Sequence, residues 1–505
     1  MKWKVLSGIS LAIILITCSL DSGGDSGGGK VGTPVIFPEG GQYSVWQSIT
    51  IYCETEGATI YYTTDGQNPT RSSNVYDPNT STILMGTGTV KAFAVKEGYE
   101  DSDIASETYI ITVGTIPTNV SWTRFLGGTG SDHGNDLAID NEGNLYVTGK
   151  TQNSLGGQAN KGGYDVFLAK YNPQGRLQWI RMRGGQKDDS GEALAFDSDG
   201  NIYITGYAKG SFDDLPVREK GALILIKYTP TGVHKWTRVL NPTDANWSYD
   251  NVVEGYSIAI DSSNRIIVGG TGSGYNAGTN GYFIVVYNQD GEFFGSATEG
   301  SWGTYEGIRG IALSNTGLYA VGYSDRKLVL QRYSLPNYQL LKQVSIDNSY
   351  GSGIAVDSSN NVYVIGYTNA PLDGQQLKGG NDICLIKYDS TLENRLWTRL
   401  IGGTSDDFGT KITLDASGNC YIVGKTLSSF HNQQNHGGID AVLMKYDTNG
   451  NHQWTTFLGG ENGDGAYGVK LDSNGNVLIA GATKSSFNGN TLKGENDVFL
   501  HKYIP

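Results

Sequence analysis

The chain has 505 residues, a formal net charge of −13, 72 Gly, 31 Tyr and only 4 Cys. Glycine at about twice its usual share of roughly 7% argues against a helical protein, because glycine weakens helices. The acidic balance excludes a surface built to follow a nucleic-acid backbone, which needs clustered Lys and Arg, and four cysteines cannot staple a chain of this length.

Lys2 and Lys4 precede an apolar run from Val5 to Thr17. That run is too short for a membrane span of about 20 residues and fits a signal peptide over residues 1–18. Leu15-Ile16-Thr17-Cys18 resembles a bacterial lipobox, with Thr17 where Gly, Ala or Ser is usual. The resemblance implies lipidation of Cys18 and attachment to a membrane through that lipid. Ser19 follows the Cys, in place of the Asp associated with inner-membrane retention, so the expected address is the bacterial outer membrane or cell surface. Residues 19–33 form a Gly/Ser/Asp-rich tether that cannot bury a core. Gly24-Asp25-Ser26-Gly27-Gly28 within it spells the nucleophile motif of chymotrypsin-like proteases. A catalytic Ser needs a rigid site with a His base and an oxyanion hole, so a tether excludes that reading.

From 34 to 113 strand-like runs alternate with turns, at 48–52, 58–62, 89–94 and 107–112. Short strands of period two read as a small β-sandwich. The stretch Gly57 to Thr70, with Ile60-Tyr61-Tyr62-Thr63-Thr64-Asp65-Gly66, and Val90-Lys91-Ala92-Phe93-Ala94 followed by Gly98-Tyr99, resemble the chitobiase/β-hexosaminidase C-terminal domain family. The resemblance implies an immunoglobulin-like accessory module without the catalytic Asp-Glu pair, and no Asp-Glu dipeptide occurs in the chain.

After a linker over 114–121 the sequence repeats itself. Trp122, Trp179 and Trp236 are 57 residues apart, as are Trp397 and Trp454. In the four most regular copies a Gly-Gly pair falls 5 and 6 residues after the Trp, and Asp falls 10 after it (Asp132, Asp189, Asp407, Asp464) and again 18 after it (Asp140, Asp197, Asp415, Asp472). A Tyr closes each of seven units, at 171, 228, 287, 333, 388, 446 and 503. Fixed spacing of this kind marks a repeat architecture. Each unit reads as four strands, at 137–140, 144–149, 165–171 and 178–181 in the first copy. Between the first two lies Asp-x-x-Gly-Asn, a tight turn whose Gly takes a left-handed conformation; Asn264 and Asn360 replace that Gly in two units, and Asn tolerates the conformation best. Seven four-stranded units imply an all-β fold: a seven-bladed β-propeller over 122–505, its last blade completed by the strand at Trp122. Trp-x-Arg-x-x-Gly-Gly, Asp-x-x-Gly-Asn-x-Tyr-x-x-Gly and Asp-Val-Phe-Leu-x-Lys-Tyr resemble the seven-bladed β-propeller (SBBP) repeat family of bacterial surface proteins. That resemblance implies fold and surface location, and no reaction.

The carboxylates 10 residues after each Trp are placed in the fourth-to-first strand loop, near the Asp that opens the third strand (Asp165, Asp382, Asp440, Asp497). Oxygen ligands in Gly-rich loops suit Ca²⁺, but recurrence in every regular unit fits hydrogen bonds to loop backbone better, and no cofactor is expected. Leu155, Phe212, Phe430 and Phe487 recur as loop plugs; His431 and His436 share a loop without a second ligand pair and are read as solvated; Cys53, Cys384 and Cys420 are read as free core thiols.

Two tryptophans escape the repeat, Trp247 and Trp302, in the fourth-to-first loops of units 3 and 4. Around them stand Tyr249, Asp250, Tyr275, Tyr305 and Glu306, and only Tyr323 to Lys327 separates the second and third strands of unit 4. Two readings stand: the irregular units pack their extra Trp into the loops for stability, or a short loop beside two aromatic-rich ones leaves a notch, for which these seven residues are the ligand-binding candidates. Aromatic faces with carboxylates suit sugars, and Trp and Tyr also anchor protein interfaces. The expectation is a monomeric, lipid-anchored, non-enzymatic binding platform for a glycan or an extracellular protein. Two alternatives stand beside it: a polysaccharide-processing enzyme using Asp250 and Glu306 as a carboxylate pair, and a purely structural envelope protein.

Overall fold

The computed structural model describes residues 29–37, 39–43, 47–55, 57–77, 83–85, 87–111, 120–156, 158–217, 221–240, 252–273, 280–297 and 306–505. They hold strands and no helix, and the chain divides into two compact units, Met1–Gly114 and Thr115–Pro505.

In the first unit, Gln47–Tyr52, Thr59–Thr63, Gly88–Val95 and Ala105–Ile111 match the four alternating runs, and four strands of three residues escape the sequence reading. Three strands form one sheet and five the other. Ile36, Ile49, Ile51 and Ile83 from the first pack with Ile60, Val90, Ala92, Ala94 and Tyr109 from the second in one core.

The second unit contains seven four-stranded antiparallel sheets among the described residues. Blade 1 is Asp132–Ile139, Leu145–Thr151, Asp165–Tyr171 and Leu177–Arg183. The first strands of blades 2 to 7 are Asp189–Phe196, Val252–Ile260, Glu306–Ser314, Ser349–Val356, Asp407–Leu414 and Asp464–Leu471. Each first strand touches those on either side, and the seventh touches the first, so the ring closes. Trp122–Leu126 supplies the fourth strand of blade 7, pairing with Asp497–Tyr503. The hydrophobic cores lie between blades: Leu137, Val147 and Phe167 of blade 1 pack with Leu478, Val498 and Leu500 of blade 7. Packing each sheet between its neighbours buries both faces of the inner strands.

The Asp-x-x-Gly-Asn turns are as the sequence implies. Gly143, Gly200, Gly418 and Gly475 have φ of 77° to 81°, and Asn264 and Asn360 take 57° and 64° in their place. Asp140 accepts hydrogen bonds from the backbone of Glu142 and Asn144 and from the Asn144 amide, the same cage recurring at Asp197, Asp357, Asp415 and Asp472.

One element differs from the sequence reading. The first strand of blade 1 begins at Asp132, five residues before the expected 137, and Asp132, Asp189, Asp407 and Asp464 are the first residues of their strands and not loop residues. The cause is a β-bulge: the register slips between Gly134 and Asp136, which breaks the period-two alternation that marks a strand in sequence.

Candidate functional site

That bulge is the origin of the site. In every blade the first strand slips at the same place, leaving one residue without a partner in the second strand: Asn135, Glu192, Tyr256, Arg309, Ser352, Thr410 and Tyr467. A bulge turns its extra side chain out of the pleat, and because first strands line the axis, all seven side chains converge on one cavity of about 850 Å³ at a mouth of the central channel. The same bulge explains the Gly that ends the second-strand motif Tyr-x-x-Gly. A Cβ on Gly366 would run into the carbonyl of Tyr350, and Gly149, Gly206, Gly322 and Gly424 face the equivalent carbonyls of blades 1, 2, 4 and 6.

One side of the cavity is aromatic. Tyr350 and Tyr367 face each other across the first two strands of blade 5 and stack at 4.7 Å with an interplanar angle of 13°. Tyr323 of blade 4 adjoins Tyr350 at 5.5 Å, and Phe408 of blade 6 meets Tyr367 edge-on at 4.9 Å. The two-residue turn after Tyr323 and Ser324, Asp325-Arg326 with φ of 49° and 62°, keeps blade 4 low here, and Arg326 lines the cavity.

Arg309 sits between two of these rings. Its guanidinium lies 3.6 Å over Tyr256 and 5.5 Å from Tyr323, and Nη2 donates to the Tyr323 hydroxyl at 3.1 Å. The Tyr256 hydroxyl donates to Glu254, and burial holds that phenol well above its ordinary pKa. Across the ring the Ser190 hydroxyl and the Asn135 amide donate to Glu192 Oε1 at 2.6 and 3.4 Å. Burial pushes the Glu192 carboxyl up, against the opposing pull of Ser190, Lys150 and Arg309. Beside the bulge ring, Lys411 Nζ lies 3.5 Å from Asp136 Oδ1, and Asp136 Oδ2 accepts from the backbone of Leu194 at 3.3 Å.

The residues singled out in sequence are distributed differently. Trp247, Tyr249, Asp250, Tyr275, Trp302 and Tyr305 lie outside the described residues, as do Cys18 and the side chain of Glu306. Only the backbone of Glu306 is placed, opening its strand opposite Ser324. Asp132, Asp189, Asp407 and Asp464 each accept a backbone N–H from the second Gly of the Gly-Gly pair, at 2.7 or 2.8 Å, and Asp165, Asp382, Asp440 and Asp497 accept one from the third-strand loop at 2.6 to 2.9 Å. These carboxylates hold loops. Among the described residues no group of three or more His, Cys, Asp or Glu is placed to hold a metal ion.

His431 and His436 do not converge: His431 stacks on His452 at 3.8 Å, while His436 lies 3.2 Å from Asp440. Leu155, Phe212 and Phe430 are buried. Cys384 and Cys420 are buried free thiols, and burial pushes Cys384 up to about 12. The sequence reading missed the whole bulge ring. Its one trace is that the position 13 residues after each repeat Trp (Asn135, Glu192, Thr410, Tyr467) changes from copy to copy while the Asp 10 residues after the Trp is constant.

A closed ring of repeated four-stranded sheets, with a variable ring of side chains at the channel mouth, defines a β-propeller of the binding or scaffold class. The chain carries a chitobiase/β-hexosaminidase C-terminal domain over residues 38–106, and its propeller is built of the SBBP β-propeller repeat, matched at 121–156, 178–213, 343–373 and 396–431. Among curated proteins it is similar to an uncharacterized WD repeat-containing protein of Acanthamoeba polyphaga mimivirus, 23% identical over 380 residues, covering 63% of this chain and 26% of that protein. It is also similar to the regulatory protein FlaEY of Caulobacter vibrioides, 29% identical over 126 residues, covering 23% of this chain and 13% of that protein. The chain thus spans about a quarter or less of the length of these relatives. Solved structures that resemble it include the WD40 β-propeller domain of Doa1 (14% identity, TM-score 0.44, 75% of this chain and 95% of that chain) and the Neurospora crassa Pan2 WD40 domain (10%, 0.45, 74% and 90%).

Proposed function

We propose that the protein is a lipid-anchored cell-envelope binding protein whose propeller takes up a glycan at the channel mouth and does not cleave it. The observation that carries this reading is the arc of Tyr323, Tyr350, Tyr367 and Phe408 over blades 4 to 6, set beside the amides of Asn135, Asn369 and Asn381 in one cavity. Sugar rings present apolar C–H faces that stack on aromatic rings and hydroxyls that need amide and carboxylate partners, and pockets of a few hundred Å³ upward suit short oligomers. The amino-terminal lipobox and tether support display from a membrane, and the chitobiase-like domain is a fitting accessory to a carbohydrate receptor.

The test is a glycan array probed with the full chain in detergent micelles, beside a Tyr350→Ala/Tyr367→Ala variant and a Trp247→Ala/Trp302→Ala variant. The reading expects a restricted set of glycans bound, lost in the first variant and recovered uncut after incubation. Binding lost only in the second variant moves the site to the loops of units 3 and 4. Shortened glycans in the recovered material support the enzyme instead.

A further inference from the structure

We infer that the sugar held at the channel mouth is acidic, a uronic acid whose carboxylate is received by Arg309. This rests on the glycan reading above and narrows it.

The chain as a whole carries −13, yet the cavity is lined by three cations, Arg309, Arg326 and Lys411, and by one carboxylate, Glu192. Lys411 already faces Asp136, and Glu192 is engaged by Ser190 and Asn135. Arg309 is differently placed. Among the described residues its polar partner is a phenol and no carboxylate, and its plane is fixed by Tyr256 on one face and Tyr323 nearby. Of the five N–H donors of a guanidinium, one is committed to the Tyr323 hydroxyl. Clamping a guanidinium between rings holds its donor fork in one orientation and leaves the edge available, the arrangement that favours a planar carboxylate over a point charge.

Arg326 stands on the same blade, exposed on the two-residue turn between its second and third strands, and adds a second positive charge on the rim next to Tyr323. The stacked Tyr350 and Tyr367 lie on the neighbouring blade. A ring carrying a carboxylate therefore meets an aromatic platform and an oriented guanidinium in adjacent blades, whereas a neutral sugar offers the donor fork of the half-buried Arg309 no carboxylate to pair with.

The test uses the full chain in detergent micelles and isothermal titration with a linear tetramer of galacturonate and with the same tetramer after reduction of its carboxylates to alcohols. The acidic tetramer is expected to bind about tenfold or more tightly than the neutral one, with an affinity that falls as salt rises. Arg309→Gln is expected to bring the acidic tetramer down to the neutral level and leave the neutral affinity in place, and Arg309→Lys to restore only part of the difference. Equal binding of the two tetramers by the unaltered chain overturns the acidic assignment and leaves the glycan reading standing. No binding of either tetramer, with a neutral glycan bound on the array, also overturns it. No glycan bound at all overturns both. A preference for the acidic tetramer that survives Arg309→Gln in a variant that melts like the parent removes Arg309 from the role.

Discussion

Arg124, in the strand that closes blade 7, donates from Nε to the carbonyl of Gly175 in the third-to-fourth strand turn of blade 1, at 3.1 Å. Trp122, two residues earlier, packs so closely on that glycine that a Cβ there would come within 2.8 Å of the indole. The pair is one of a set. Arg181 reaches Gly232 at 2.8 Å, Arg238 reaches Gly291 at 3.1 Å and Arg399 reaches Gly450 at 2.6 Å, and each guanidinium lies 4.9 to 5.5 Å from its own Trp ring. The repeat motif Trp-x-Arg is thus a latch between successive blades on the outer edge, and the glycine it grips has φ of 73° to 78°.

Breaking a latch should loosen one blade junction. Arg399 also donates to the carbonyls of Thr398 and Asn449, so Arg399→Ala removes three hydrogen bonds, a loss of about 1–3 kcal/mol. Gly232→Ala places a Cβ 2.9 Å from the Trp179 ring on a backbone with φ of 78° and should cost about 1 kcal/mol or more from conformation alone. Urea titration followed by tryptophan fluorescence should show a lower midpoint for both, with glycan binding retained below the transition.

The paired aspartates make stability depend on pH. Burial pushes Asp189 up to about 8, with Asp165 and Asp188 adding to it, and burial also raises Asp165. A carboxyl whose folded pKa lies above its unfolded value, near 4, holds its proton more tightly when folded. Its stabilisation is full below about pH 4 and is lost as pH rises towards 8. Among the described residues Asp165 Oδ1 has no hydrogen-bond partner, and it faces the same Gly184 as Asp189 Oδ2. Asp165→Asn supplies an N–H at that place and removes the like charge, so its thermal midpoint should exceed the parent's at pH 8 and match it at pH 4.5. Parallel midpoints across that range would remove the pair from the pH dependence.

The aromatic platform can be tested without touching the core. Tyr350 and Tyr367 are half-buried, so Tyr367→Ala should leave the melting curve nearly in place and weaken glycan binding by about 1–3 kcal/mol, as expected for a lost stacking partner. Calorimetric titration reads the affinity, and circular dichroism the fold.

His431 and His452 share the hydroxyl of Thr455, at 2.9 and 2.8 Å. Burial, with the neighbouring His452 charge and that of Lys378, pulls His431 down to about 4. A histidine lowered in this way stabilises the fold above its unfolded pKa near 6.5 and loses that contribution as pH falls towards 4. Proton NMR of the imidazole resonances should find the His431 ring titrating at about 4, and His452→Ala should move it upward.

The blade pattern was legible because the residues that make it answer to the same local physics in every copy. The Asp cage at 140, 197, 415 and 472, the left-handed Gly after it and the Trp-x-Arg latch each solve a backbone problem posed once per blade, so they recur. The bulge ring was not legible. Its geometry is constant while its residue type changes, and a bulge erases the alternation by which strands are read, so nothing in the sequence marks Arg309 and Tyr256 as a pair. The two surplus tryptophans drew attention to units 3 and 4, whose first strands do contribute Tyr256 and Arg309 to the cavity, but through positions that the sequence argument had passed over.

The seventh blade joins strands made at opposite times. Trp122–Leu126 leaves the ribosome some 370 residues before its partner Asp497–Tyr503, and at about 5–20 residues per second it waits roughly 20 to 75 seconds for the strand that will accept it. During that interval the first-made strand has no sheet to join, and the growing arc of blades presents raw edges at both ends. Holding that segment unpaired and unaggregated is therefore a demand on chaperones, and substitutions in residues 122–126 should show their effect in yield before they show it in the stability of the finished ring.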